Sequence, residues 1–156
     1  GQKISDDYRG QDLTVVGILK GAVIFFSDLV RNISIPIEAD FMAISSYGAG
    51  TETSGYARII KDLNVSCAGK HLLIVEDIVD SGITLSSLSE VLRTRGPASV
   101  RICTLLDKPS RRRIELNPDY TGFIIENDFV VGYGLDYNER YRNLPEIGVL
   151  KPEIYA

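Results

Sequence analysis

The stretch "HLLIVEDIVDSGITL", residues 71–85, decides the fold and raises the functional question. Leu72 to Val75 is a continuous aliphatic run, as expected for a parallel strand covered on both faces. It stops at two adjacent acids, Glu76 and Asp77, and meets a third at Asp80. It then turns through Ser81, Gly82 and Thr84 into a segment whose Leu85, Leu88, Val91 and Leu92 make one apolar helix face. In a parallel α/β sheet, ligands sit where strands end and lead into helices. The free N–H groups of the helix's first turn and the positive end of its dipole make an anion seat. Gly82 lets backbone come close, and Ser81 and Thr84 add hydroxyl donors. Three carboxylates beside a phosphate would repel it unless ribose hydroxyls or a hard cation such as Mg²⁺ were also present. The competing reading is a plain capped helix, with Asp80 or Ser81 as its cap.

Outward from this stretch the chain repeats the strand-then-helix pattern. "TVVGIL", residues 14–19, reads as a buried strand, and Phe25, Leu29 and Ile33, with Phe26 and Val30 beside them, form the stripe of a following helix. "IEADFMAISSY" reads as a second strand. "GAGTETSGYA", residues 48–57, is small and polar, and with "ARIIKDL" returning as a strand it is predicted to crown a mobile hairpin. "SVRICTLL" is a further core strand, followed by "YTGFIIEN", "FVVGYGLD" and a short "IGVL". The alternation points to an α/β fold with a mainly parallel sheet and flanking helices.

The 156 residues fit one domain. With 44% apolar and 24% charged residues and no aliphatic run long enough to span a bilayer, a cytoplasmic protein without a membrane partner is expected. The first residues, "GQKISDDYRGQDL", are polar and acidic rather than a signal peptide. They lack an initiator Met, and an N-terminal piece is expected to be missing. A net charge of −4 argues against nucleic acid as partner but not against a small phosphorylated ligand. Cys67 and Cys103 read as free thiols, Cys103 within an aliphatic strand.

"VEDIVDSGITL" resembles the phosphoribosyl pyrophosphate (PRPP) motif of the type I phosphoribosyltransferases. "LKGA", "SSYGAGTETSG", "LLDK" and "FVVGYGLDYNERYRNLP" extend the resemblance, in order, to the bacterial hypoxanthine-guanine phosphoribosyltransferases over essentially the whole chain. The resemblance implies a Rossmann-like type I fold over residues 1–156, a flexible β-hairpin loop at about 46–57 opened by Ser46 and Tyr47, and a small hood built mainly from about 127–156. It implies displacement of pyrophosphate from C1 of PRPP by hypoxanthine or guanine, giving IMP or GMP, with Mg²⁺. Xanthine-guanine transfer and a PRPP-binding regulator with weak or no catalysis are the alternatives.

Residue by residue, the resemblance assigns Ser81, Gly82, Ile83 and Thr84 to the 5′-phosphate, Glu76 and Asp77 to the ribose hydroxyls and Mg²⁺, and Asp80 to the general base taking the N7 proton. Lys20, Gly21 and Arg142 match pyrophosphate contacts, with a cis peptide often found between the positions of Leu19 and Lys20. Asp136 matches a second Mg²⁺ ligand. Phe129 matches the aromatic that stacks on the base, Val130 a backbone contact to its edge, and Lys108 a donor to the 6-oxo group. A core Phe, a surface Lys and, for Lys20, a solvent-facing turn residue are the plain readings of the same positions. Arg111, Arg112 and Arg113 read as a solvated run, and the single His71 receives no catalytic role. A homodimer or homotetramer is usual for the family.

Overall fold

The computed structural model describes residues 1–46 and 57–155. The chain forms helix α1 (Gln2–Asp7), strand β1 (Leu13–Leu19), helix α2 (Val23–Arg31), strands β2 (Glu38–Ser46), β3 (Ala57–Lys61) and β4 (His71–Val79), then helix α3 (Ile83–Arg93). Strands β5 (Ser99–Asp107) and β6 (Tyr120–Ile124) follow, then the short β7 (Val130–Val131) and β8 (Gly148–Val149) and a last turn of helix, α4 (Pro152–Tyr155).

Six strands form one sheet in the order β3-β2-β1-β4-β5-β6. All neighbours are parallel except β3, which runs antiparallel to β2 as a hairpin partner. β1 is flanked by β2 on one side and β4 on the other, so the winding reverses between β1 and β4. The crevice outside the carboxyl ends of those two strands is where such sheets place ligands.

The two central strands are apolar on both faces, and each face has its own cover. Leu13, Val15, Leu73 and Val75 point to α1 and α2, meeting Ile4, Tyr8, Phe26 and Leu29. Val16, Ile18, Leu72 and Ile74 point the other way, meeting Leu85, Leu88 and Leu92 of α3. Full burial of side chains of this size contributes about 1.5–3 kcal/mol each, so the sheet is held rigid below the crevice. Cys67 and Cys103 are buried free thiols. Among the described residues no helix is long and apolar enough to cross a membrane.

Two expectations are corrected and one helix is added. Along α2 and just past its end, Leu29 and Ile33 are buried as expected, but Phe26 rather than Phe25 completes the stripe, packing on Phe41 at 4.6 Å between ring centroids. The polar first residues form α1, since Ile4 and Tyr8 are spaced i, i+4 and sink into the core. "FVVGYGLD" is not one strand. Pairing stops after Val131, where Gly132 takes φ +97° and the chain turns back at Leu135.

Candidate active site

The crevice is built from four chain segments. β4 supplies the acids: Glu76 and Asp77 lie within its last turn of pleat and Asp80 just beyond it. Helix α3 begins at Ile83 with Gly82 as the preceding residue at φ +81°, a left-handed conformation that glycine adopts without penalty. Gly82, at the N-cap, has no side chain to cap the helix, and the N–H of Ile83 donates to Ser81 Oγ at 3.4 Å. Asp80 therefore does not cap the helix, Ser81 takes up the Ile83 N–H, and the N–H of Thr84 in the first turn is left for an anion. Glu76, Asp80, Ser81, Gly82 and Thr84 line a cavity of about 160 Å³, with Ile83 as the first helical residue.

Asp80 also lines a second, larger cavity of about 470 Å³, together with Lys108, Phe129, Val130, Ile78 and Tyr155. Lys108 is 7% exposed, with its Nζ donating to the carbonyl of Asp128. It is not the surface lysine that its polar neighbours suggest. Two of its three donors remain for a ligand. Phe129 is 37% exposed and contributes to the cavity wall rather than to the core. Across the cavity mouth Arg111 Nε donates to Asp80 at 3.2 Å.

The third group lies at the end of β1. The peptide between Leu19 and Lys20 is cis. Gly21 approaches Asp77 so closely that a Cβ there would stand 1.9 Å from Oδ2. Lys20 Nζ pairs with Glu139 at 2.9 Å. Arg142 Nη1 pairs with Asp136 at 2.9 Å and donates to the Gly134 carbonyl, while Nη2 reaches Glu139 at 3.2 Å. The Lys20 ammonium, helped by Arg142, holds the Glu139 carboxyl below its usual range. Glu139 thus occupies both cations that would meet a polyanion. It escaped the sequence reading because 119 residues separate it from Lys20.

Burial pushes the Glu76 carboxyl well above its usual range, and the Asp77 charge beside it adds to the effect. Asp77 is raised by burial too, with Arg142 opposing. Two crowded carboxylates of this kind suit a hard cation, whose charge would offset both costs. Asp136 is instead neutralised by Arg142. Among the described residues no three acids converge on one ready-made metal position.

The other sequence-predicted residues divide as follows. Ser46 is the last residue of β2, and Tyr47 lies outside the described residues. Of the arginine run, Arg111 is exposed as read, pairing with Asp80 at the surface, whereas Arg112 departs from it in an enclosed ion pair with Asp107. Only Arg113 of the three is exposed without such a pair in view, its N–H donating to the Ser81 carbonyl at 3.0 Å. His71 packs edge-on against Tyr8 and pairs with Ser99, far from the acids.

The phosphoribosyl transferase domain family matches residues 1–138. The chain is 55% identical to hypoxanthine-guanine phosphoribosyltransferase of Mycobacterium avium, covering 99% of this chain and 79% of that protein. It is 54% identical over 156 residues to the bifunctional protein TilS/HprT of Listeria monocytogenes, of whose length it spans 24%. The crystal structure of a hypoxanthine phosphoribosyltransferase from Staphylococcus aureus superimposes with a TM-score of 0.96 at 51% identity, covering all of this chain and 85% of that one. With its sheet reversing between β1 and β4 and these matches along its whole length, the chain belongs to the phosphoribosyltransferase family and stands among its hypoxanthine-guanine members.

Proposed function

We propose that this protein transfers the 5-phosphoribosyl group of PRPP to hypoxanthine or guanine, giving IMP or GMP and pyrophosphate. One observation carries the reading: Asp80 lines both the small cavity at the α3 N-terminus and the larger cavity walled by Phe129 and Lys108. A carboxylate shared by a phosphate seat and a flat, partly apolar slot is placed to take a proton from a base while C1 of the sugar is attacked.

The 5′-phosphate is seated by the amides of Gly82, Ile83 and Thr84, that of Ile83 turning from Ser81 Oγ, and by the Ser81 and Thr84 hydroxyls. Glu76 and Asp77 accept from the ribose hydroxyls and would hold Mg²⁺, which when bound would supply charge neutralisation for the leaving pyrophosphate. Asp136, now paired with Arg142, would be the further ligand on that side. Lys20, the Gly21 backbone and Arg142 receive pyrophosphate, displacing Glu139 from both cations. A ring nitrogen of the purine forms the bond to C1 as the bond from C1 to the pyrophosphate oxygen breaks, and Asp80 takes the N7 proton. Bond breaking leads, so the sugar carries oxocarbenium character.

The base lies on Phe129, meets the Val130 backbone at its edge and presents its 6-oxo group to Lys108. An ammonium only donates, so adenine's amino group would leave it unpaired. Residues 1–156 act as one domain, with about 127–156 as the hood; most of the loop expected at 46–57 lies outside the described residues. The protein works in the cytoplasm as a homodimer or homotetramer.

The test is a panel of hypoxanthine, guanine, xanthine, adenine and uracil with PRPP and Mg²⁺. IMP and GMP should form and the adenine product should not. A folded protein that binds PRPP but makes neither nucleotide would leave only a regulatory role.

A further inference from the structure

We propose that Tyr155 is a positioning residue for the purine, fixing the plane of Phe129 and walling the adjoining side of the base cavity. The inference rests on reading that cavity as the base site.

Phe129 lies outside the three buried core clusters and is 37% exposed, so close packing does not set its ring orientation. Two other rings do. Tyr155 lies against it with centroids 5.0 Å apart and planes 27° from parallel, and Tyr137 meets it edge-on at 5.7 Å and 88°. Both arrangements are among the favoured geometries of aromatic pairs. The backbone brings Tyr155 there: β7 pairs with β8, and the N–H of Leu150 donates to the Phe129 carbonyl at 2.7 Å, which delivers the chain into α4 beside the ring.

Helix α4 has four residues and none of them is buried. So short a helix has little stability of its own. The stack on Phe129 therefore ties the chain end to the base cavity, and the cavity wall to the chain end. Tyr155 lines that cavity with Phe129, Lys108 and Asp80. A base gains most from stacking on a ring that is already held in place, because no ordering is then left to binding. Removing Tyr155 leaves Phe129 free to tilt and opens one wall, while the phosphate seat and the Lys20, Gly21 and Arg142 cluster keep all their contacts.

Three proteins are compared by calorimetric titration with GMP and by initial rates of IMP synthesis: wild type, Tyr155→Ala and Tyr155→Phe. Tyr155→Ala should weaken GMP binding and raise KM for hypoxanthine by about three- to ten-fold, the range one aromatic pair supplies. The KM for PRPP, kcat and the melting temperature should stay near wild type, and Tyr155→Phe should restore the base affinity. Unchanged GMP affinity and base KM in Tyr155→Ala would overturn the proposal. So would base and PRPP KM rising together, or a loss that Tyr155→Phe does not repair. Wild type that binds GMP but makes no IMP would refute the proposed activity and leave the Tyr155 comparison to be decided by GMP affinity. Wild type that binds no GMP would sink both.

Discussion

A side chain at Gly21 would have to occupy the position of the Asp77 carboxylate: its Cβ would stand 1.9 Å from Oδ2. The carboxylate cannot swing away without losing the N–H of Ile78, which it accepts at 2.7 Å. Gly21→Ala should therefore displace Asp77 and the turn after β1 together. We expect a lower melting point, reflecting about 1–3 kcal/mol of overpacking, and a PRPP KM raised by ten-fold or more. Gly148→Ala, with nothing near its added Cβ, is the control and should change neither. Melting curves and PRPP saturation of the two variants check this.

Glu76 gives a pH-dependent expectation. Its carboxyl titrates well above the ordinary glutamate value in the folded chain, through burial first and Asp77 second. A group whose folded pKa is raised favours the fold while protonated. That contribution is complete below the unfolded value, near 4.3, and is lost as pH rises through the folded pKa. Glu76→Gln removes the loss. The variant should melt above wild type at neutral to alkaline pH, with the gap closing toward about pH 4. Its activity should fall, because a neutral amide neither attracts a divalent ion nor balances one. A gap that widened on acidification would contradict the assigned cause.

Asp80 offers a cleaner separation of roles. It forms no cap on α3, and its one resting side-chain partner, Arg111, is half-exposed like Asp80 itself. Such pairs contribute less than about 1 kcal/mol, so Asp80→Asn should leave the melting point nearly unchanged. Loss of proton transfer should lower kcat by about 10²- to 10⁴-fold while PRPP affinity moves little. Initial rates alongside PRPP titration would decide. Parallel losses in kcat and affinity would make Asp80 a purely positional residue.

How much of this was legible depended on whether a residue's partner lay close in sequence. The aliphatic run ending at Glu76 and the Leu85, Leu88 and Leu92 face carry their meaning within a dozen residues, and β4 and α3 stand as read. Helix α1 was hidden because two apolar residues, Ile4 and Tyr8, sit in an otherwise polar stretch. Glu139 and Arg111 could not be found. Their roles exist only once the fold sets residue 139 against residue 20, and residue 111 against residue 80. The turns from 133 to 141 place Tyr133, Asn138, Glu139 and Tyr141 at positive φ. Of these only Asn138 is a residue type that signals such a backbone.

Arg112 carries the last prediction, because three consecutive arginines conceal one that is structural. Its guanidinium is enclosed with Asp107, and Nη1 is buried with no hydrogen-bond partner. Its Cδ lies 3.1 Å from where a Cβ on Gly82 would be. The N–H groups of Lys108 and Arg113 donate to the carbonyls of Val79 and Ser81, so the 108–113 segment backs the phosphate seat, with Arg112 as its anchor. Arg112→Ala leaves Asp107 charged, enclosed and unpaired, which should destabilise the protein by about 3–5 kcal/mol and weaken PRPP binding. In Asp107→Asn/Arg112→Ala no charge is stranded. The double variant should recover most of the melting temperature but not the PRPP affinity, since the segment behind Gly82 stays loose. Recovery of both would mean that Arg112 serves stability alone, and recovery of neither would mean that the anchor is its bulk rather than its charge.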